Sequence, residues 1–170
     1  IGGDILVSTS DQSKIDRKNN HIPVIHYPDQ SNYIFFSSYG EDATHKDIYY
    51  KEKLANGTWS LAKKVEGLVN TEFDEDFPFF DVNEQMLYFS STGHNSIGGY
   101  DIFKVKFDPS TNTSEKVSHI EFAISSPDDD LFFIYNAKTK RANFASSRNS
   151  MDGKITIYDV VLNDLPRSVG

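Results

Sequence analysis

The apolar positions of this chain fall in short, nearly unbroken runs divided by stretches rich in Ser, Asn, Asp, Gly and Pro. Ile22-Pro23-Val24-Ile25, Phe77-Pro78-Phe79-Phe80 and Leu131-Phe132-Phe133-Ile134 each lead into a turn sequence. Those turns are Pro28-Asp29-Gln30-Ser31-Asn32, Asn83-Glu84 and Asn136-Ala137-Lys138-Thr139. A second run follows each one: Tyr33-Ile34-Phe35-Phe36, Met86-Leu87-Tyr88-Phe89 and Ala142-Asn143-Phe144. A half-exposed strand alternates apolar and polar residues with period two. Runs this short and this continuous, closed by turn residues, predict antiparallel strands covered on both faces. No amphipathic helical stretch of useful length interrupts them, so the predicted class is all-β.

The runs belong to a repeat. Phe36-Ser37-Ser38 precedes Asp47-Ile48-Tyr49-Tyr50, and Phe89-Ser90-Ser91 precedes Gly98-Gly99-Tyr100-Asp101-Ile102-Phe103. A weaker copy runs from Phe144-Ala145-Ser146-Ser147 to Gly153-Lys154-Ile155-Thr156-Ile157-Tyr158, so the period is about 54 residues. Strand-dense repeats of this length predict the blades of a β-propeller, about three of them with four antiparallel strands each, every blade sandwiched between two neighbours. The predicted organisation is a single partial propeller over 1–170: blades at 21–71, 72–125 and 126–164, and a tail at 165–170. Fourth strands are expected around Trp59 to Val65 and around Glu115 to Ile120. Because Ile1-Gly2-Gly3-Asp4-Ile5-Leu6 echoes Ile97 to Ile102, residues 1–20 are expected to hold the end of a preceding blade and a linker. Closed propellers have about four to eight blades. Three leave Phe-rich end faces open, which points to a piece of a longer protein, or else to association of copies.

Composition narrows the partners. Acidic residues exceed basic ones by 25 to 17, a net charge of −8, which argues against nucleic acid or an anionic membrane surface. No cysteine is present, so disulfides, thiolate catalysis and Cys-type zinc sites are excluded. No apolar run approaches the roughly 18 residues of a membrane span, and direct membrane insertion is not expected.

Candidate chemistry is sparse. Asp74, Glu75, Asp76 and Asp128, Asp129, Asp130 each lie just before a first, channel-lining strand. They predict a negative rim that could take a cationic segment of a partner protein or a Ca²⁺ ion; solvated loops bonding their own backbone are the plainer reading. Asp4, Asp47 and Asp101 recur at one repeat position, where a carboxylate capping the preceding turn explains them. Gly98 and Gly99, with Gly2 and Gly3, are expected to need positive φ. His21, His26, His45, His94 and His119 show no metal-ligand spacing. No nucleophile elbow or phosphate loop is present. Gly57-Thr58-Trp59 lacks the leading residues of a sialidase Asp-box, and Trp59 is expected to pack a fourth strand. Tyr49, Tyr50, Tyr100 and Tyr158 could serve an interface or the core. No cofactor is expected.

Asn70-Thr71-Glu72, Asp74-Glu75-Asp76-Phe77-Pro78-Phe79, Leu87-Tyr88-Phe89-Ser90-Ser91 and Gly98-Gly99-Tyr100-Asp101-Ile102-Phe103 resemble the TolB-type WD40-like propeller repeat. The form found in Bacteroidota cell-envelope proteins is the most similar. Gly57-Thr58-Trp59-Ser60 resembles the family's fourth strand, and Ser125-Ser126-Pro127-Asp128-Asp129-Asp130 with Phe144 to Tyr158 its terminal blade. The family's Ser-Pro-Asp-Gly turn appears here as Tyr27-Pro28-Asp29-Gln30 and Asp81-Val82-Asn83-Glu84. The resemblance implies a periplasmic, outer-membrane-associated, non-enzymatic scaffold that binds other envelope proteins. It would meet peptidoglycan only through a flanking domain, and type IX secretion or gliding are roles known among relatives. A carbohydrate-binding or carbohydrate-processing propeller is the alternative.

Overall fold

The computed structural model of the protein describes residues 3–41, 44–120, 126–136, 138–148 and 154–161. Ile1, Gly2, Ser125, Ala137, Gly153 and the tail at 165–170, all used in the sequence reading, lie outside the described residues. Strand β1 (Asp4–Val7) and a short helix α1 (Lys14–Lys18) precede β2 (Val24–Tyr27), β3 (Tyr33–Ser38), β4 (Asp47–Glu52) and β5 (Lys63–Lys64). A second group follows: β6 (Glu75–Asp81), β7 (Met86–Ser91), β8 (Asp101–Asp108), β9 (Thr113–Ser114) and β10 (Ser118–His119). The third holds β11 (Asp130–Asn136), β12 (Arg141–Ser146) and β13 (Thr156–Val161). All ladders are antiparallel. The sheets run β1-β2-β3-β4-β5, then β6-β7-β8-β10 with β9 also on β8, then β11-β12-β13. They stack as an all-β partial propeller.

Three details differ from the sequence reading. Strand β1 does not end a separate preceding blade: it pairs with the inner edge of the first sheet, Asp4 opposite Tyr27 and Val7 opposite Val24. The backbone groups along β2 need partners, and β1 supplies them. Helix α1 was not foreseen. It spans only five residues, too few to show a period, and a capping box fixes its start: Ser13 accepts from the Asp16 N–H, and Asp16 from the Ser13 N–H. The third sheet has three strands among the described residues, not four.

The second sheet shows why its strands are apolar on successive positions. Phe80, Leu87, Phe89, Phe103, Val105 and Phe107 share one core with Phe35, Ile48 and Tyr50 of the first sheet. Phe79, Tyr88 and Ile102, on the other face, share a core with Phe133, Ala142 and Phe144 of the third. Alternate residues thus serve two interfaces. Rings meet across each junction, Phe35 to Phe80 at 4.8 Å and Tyr88 to Phe133 at 4.8 Å.

The two end faces differ. On the first sheet Ile25, Ile34 and Phe36 are buried beside Tyr27, Tyr49 and Trp59. The segment 8–22 crosses that face: Asp11 pairs with Lys51, whose ammonium lies 5.7 Å from the Phe36 ring centre. On the third sheet, Ile157 is 75% exposed and Ile155 57%.

Candidate functional site

Each junction between sheets is closed by the same hydrogen-bonded unit, and the acidic segments build it. Asp74 donates its N–H to Thr92 Oγ1 (3.1 Å) and accepts the Thr92 N–H on its carbonyl (3.0 Å). Its carboxylate takes the N–H of Lys46 in the preceding sheet at 2.8 Å. The next residue, Glu75, donates its own N–H to the Lys46 carbonyl at 2.9 Å. The Glu75 carboxylate turns inward, accepting the Thr71 N–H (2.9 Å), the Thr71 hydroxyl (2.7 Å) and the Ser91 hydroxyl (2.7 Å).

About 55 residues later the unit recurs. Asp129 donates to Ser147 Oγ (3.0 Å) and accepts the Ser147 N–H (2.9 Å). Its carboxylate takes the Tyr100 N–H at 2.9 Å, and Asp130 donates to the Tyr100 carbonyl at 2.7 Å. The Asp130 carboxylate holds the Ser126 N–H (2.5 Å), the Ser146 hydroxyl (2.6 Å) and Arg148 Nη2 (2.6 Å). In the first sheet, helix α1 delivers the matching carboxylate: Asp16 accepts from the Ser38 hydroxyl at 2.5 Å and the Tyr39 N–H at 2.7 Å. These donors hold the Asp16 carboxyl below its ordinary value although burial opposes them, whereas burial pushes Glu75 up against its Thr71 and Ser91 donors.

The residue after each acidic pair differs. Asp76 pairs with Lys46 and accepts the Ser37 hydroxyl and its neighbour's N–H from Phe77. Burial lowers the affinity of the Lys46 amine for its proton, but the Asp76 carboxylate and the Tyr100 phenol outweigh that and raise it. Burial lifts Tyr100 to about 12 against the pull of Lys46. At the second junction Leu131 stands in place of Asp76, Tyr100 in place of Lys46 and Ser90 in place of Ser37. The Ser90 hydroxyl there is buried without a hydrogen-bond partner.

Part of the expected rim is turned inward. Glu75, Asp76 and Asp130 are buried, and the carboxylates of Asp74 and Asp129 hold backbone across the junctions. Asp128 is exposed. Among the described residues no group of acidic or histidine side chains is placed to hold a metal ion. The repeated third-strand aspartates also diverge. Asp101 caps its turn, accepting the Ile97 N–H at 2.5 Å, and lies 3.3 Å from His119 Nε2. Asp47 instead pairs with Lys64 Nζ at 2.6 Å, and Asp4 is exposed on β1. Gly98 and Gly99 do not have positive φ, while Gly3 does. They are small because a Cβ at Gly98 would strike the Pro127 carbonyl, and one at Gly99 the Asp129 carboxylate.

The histidines go to separate duties. His21 and His94 each donate to a carbonyl, of Ser37 (3.0 Å) and Val69 (2.8 Å), and His26 Nδ1 accepts the Phe80 N–H (2.9 Å). His45 lies 3.8 Å from Asp47. Tyr50 is core, and Tyr158 stacks on Phe144 at 5.2 Å. Trp59 packs edge-on against Tyr27 at 6.2 Å. The sequence reading missed Asp16, Lys46 and the Ser38, Ser91 and Ser146 hydroxyls. A usable signal exists, since Thr71 and Ser126 each lie four residues before the carboxylate that their N–H groups meet.

Concavities lie among the described residues as well. An apolar groove of about 410 Å³ on the open side of the third sheet is lined by Phe77, Leu131, Phe132, Ile134, Ile155 and Ile157 among others. A polar cleft of about 300 Å³ lies between the turns, with Asp29, Asp81, Tyr135 and Lys138 in its wall. No protein-family model matches the chain, and no curated protein matches it.

Proposed function

We propose that the chain is a non-enzymatic scaffold: a rigid stack of sheets that offers its open face and turn surface to other proteins. The supporting observation is where the carboxylates go. The acidic residues that could have run acid–base chemistry or held a cation are spent on cross-sheet hydrogen bonds, while an apolar groove lies accessible on the third sheet. Apolar surface of this kind on a sheet marks a place for another protein surface. The resemblance to TolB-type repeats adds the setting, a bacterial envelope with the chain on the periplasmic side and associated with the outer membrane. Partners would be other envelope proteins, including those of type IX secretion or gliding. Peptidoglycan would be met through a flanking domain, and the charge of −8 disfavours nucleic acid.

In-cell cross-linking through a photoreactive residue at Lys138, in the turn-side cleft, tests this. The expected result is a discrete envelope-protein adduct. Sustained turnover of chromogenic glycosides or esters by the purified chain, above the buffer rate, would overturn it.

A further inference from the structure

The junctions repeat in one direction, and the repetition describes what is absent from the third sheet's open face. The residue before each third strand offers its N–H to the carboxylate of an incoming Asp and its carbonyl to the N–H of the acidic residue behind it. Lys46 does this for Asp74 and Glu75, and Tyr100 for Asp129 and Asp130. In the third sheet Ile155 occupies this place, and it is more than half exposed.

A second series runs alongside. Phe77 and Phe132 sit in matching bulges of β6 and β11, both with left-handed backbone at φ 50° and 59°, and their rings lie 5.6 Å apart. Non-glycine residues rarely adopt this conformation, and the two matching cases set a ring of the second sheet against one of the third. Phe132 lines the apolar groove, with space beside it.

A third series states the polarity of the seat. Ser37 and Lys46 receive Asp76 at the first junction, while Ser90, Tyr100 and Leu131 hold the equivalent repeat positions at the second. On the open face the matching pair is Ala145 and Ile155, both lining the groove. Among the described residues, neither Ala145 nor Ile155 offers a polar side chain to a charge, so their seat takes an apolar residue.

We propose that this face receives the first strand of a further antiparallel sheet that opens Asp–acidic–apolar–Phe. The Asp carboxylate takes the Ile155 N–H, the acidic residue's N–H meets the Ile155 carbonyl, the apolar side chain lies on Ala145 and Ile155, and the Phe stacks on Phe132. This names the partner of the scaffold surface proposed above and rests on that reading. A second copy of this chain does not supply it. Its two such segments, beginning at Asp74 and Asp129, are already engaged, and segment 8–22 crosses the outer face of its first sheet.

The test is amide NMR on the full chain, titrated with a peptide copying residues 126–136 followed by a lysine tail. The expected result is saturable shifts at Ala145, Ile155, Ile157 and Phe132, with the Ile155 amide moving downfield. A peptide carrying Asp129→Ala should bind at least ten-fold more weakly, and Ile157→Asp in the chain should abolish the shifts with its remaining spectrum unchanged. Absence of shifts at millimolar peptide, shifts elsewhere, or equal binding of the Asp129→Ala peptide would overturn the proposal. So would a concentration-dependent dimer lost on Ile157→Asp, which would assign the face to a second copy. Cross-links to other proteins from Lys138 persisting alongside a failed titration would overturn this inference and leave the scaffold reading standing.

Discussion

Two serines one repeat apart illustrate how side-chain context sets energy. Ser37 gives its hydroxyl to Asp76, whereas the Ser90 hydroxyl is buried with no partner. Losing a buried partner costs about 1–3 kcal/mol, while deleting an orphan hydroxyl costs nothing. Ser37→Ala should therefore destabilise by about that amount, and Ser90→Ala should be neutral or stabilising, as read by urea denaturation. Asp76→Ala strands the Lys46 ammonium and should cost about 3–5 kcal/mol. Lys46→Tyr combined with Asp76→Leu copies the second junction and should recover most of that loss. The buried carboxylates also set opposite pH trends. Asp16 is held below its ordinary 3.8, so its stabilisation is present above that value and lost as pH falls through the folded value. Glu75 is raised above 4.5, so its contribution is full below that value and declines as pH rises through the folded one. Asp16→Asn should accordingly show a urea-midpoint deficit at pH 6 that narrows below pH 3.8, whereas the deficit of Glu75→Gln should narrow as pH rises. Both trends disappear if the carboxylates titrate alike in the folded and unfolded chain.

At the scale of elements, the strands were legible because hydrophobic runs and turn residues are local properties. Phe77 to Phe80 and Met86 to Phe89 announce a hairpin buried on both faces, and β6 and β7 form it. What was not legible is where a side chain goes once the sheets stack. Asp74 and Glu75 look like a charged loop in one dimension, and only the approach of Lys46 from another sheet makes them a junction. Strand β1 was misplaced for the same reason: its Gly3-Asp4-Ile5 echo identifies a strand without naming its partner. Gly98 and Gly99 were recognised as special but for the wrong cause, since crowding by the 127–129 backbone and side chain, not positive φ, demands them. This yields an ordering. A methyl at Gly99 meets a carboxylate that can swing aside, whereas one at Gly98 meets a peptide carbonyl. Both should destabilise by about 1–3 kcal/mol, the range for overpacking, with Gly98→Ala the worse. Equal midpoints for the two variants would contradict the crowding account.

Among the described residues the stack is covered at one end and open at the other. Segment 8–22 crosses the first sheet and is held by Asp11 to Lys51 and Asp16 to Ser38. Deleting residues 1–22 should uncover Ile25, Ile34 and Phe36 and turn the chain into a self-associating species, visible by light scattering on a sizing column. A monodisperse monomer would show that the segment is dispensable. The asymmetry also sets the order in which the protein comes apart. Sheets in such a row are stabilised chiefly by their neighbours, so cooperativity decays with distance along the stack. The middle sheet has two neighbours and the third has one, with a solvent-facing flank. Amide hydrogen exchange should therefore be fastest in β11 to β13, slower in the first sheet and slowest in β6 to β8. The protein unzips from the side of Ile157, and whatever seats itself there acts as the pin that stops the zip.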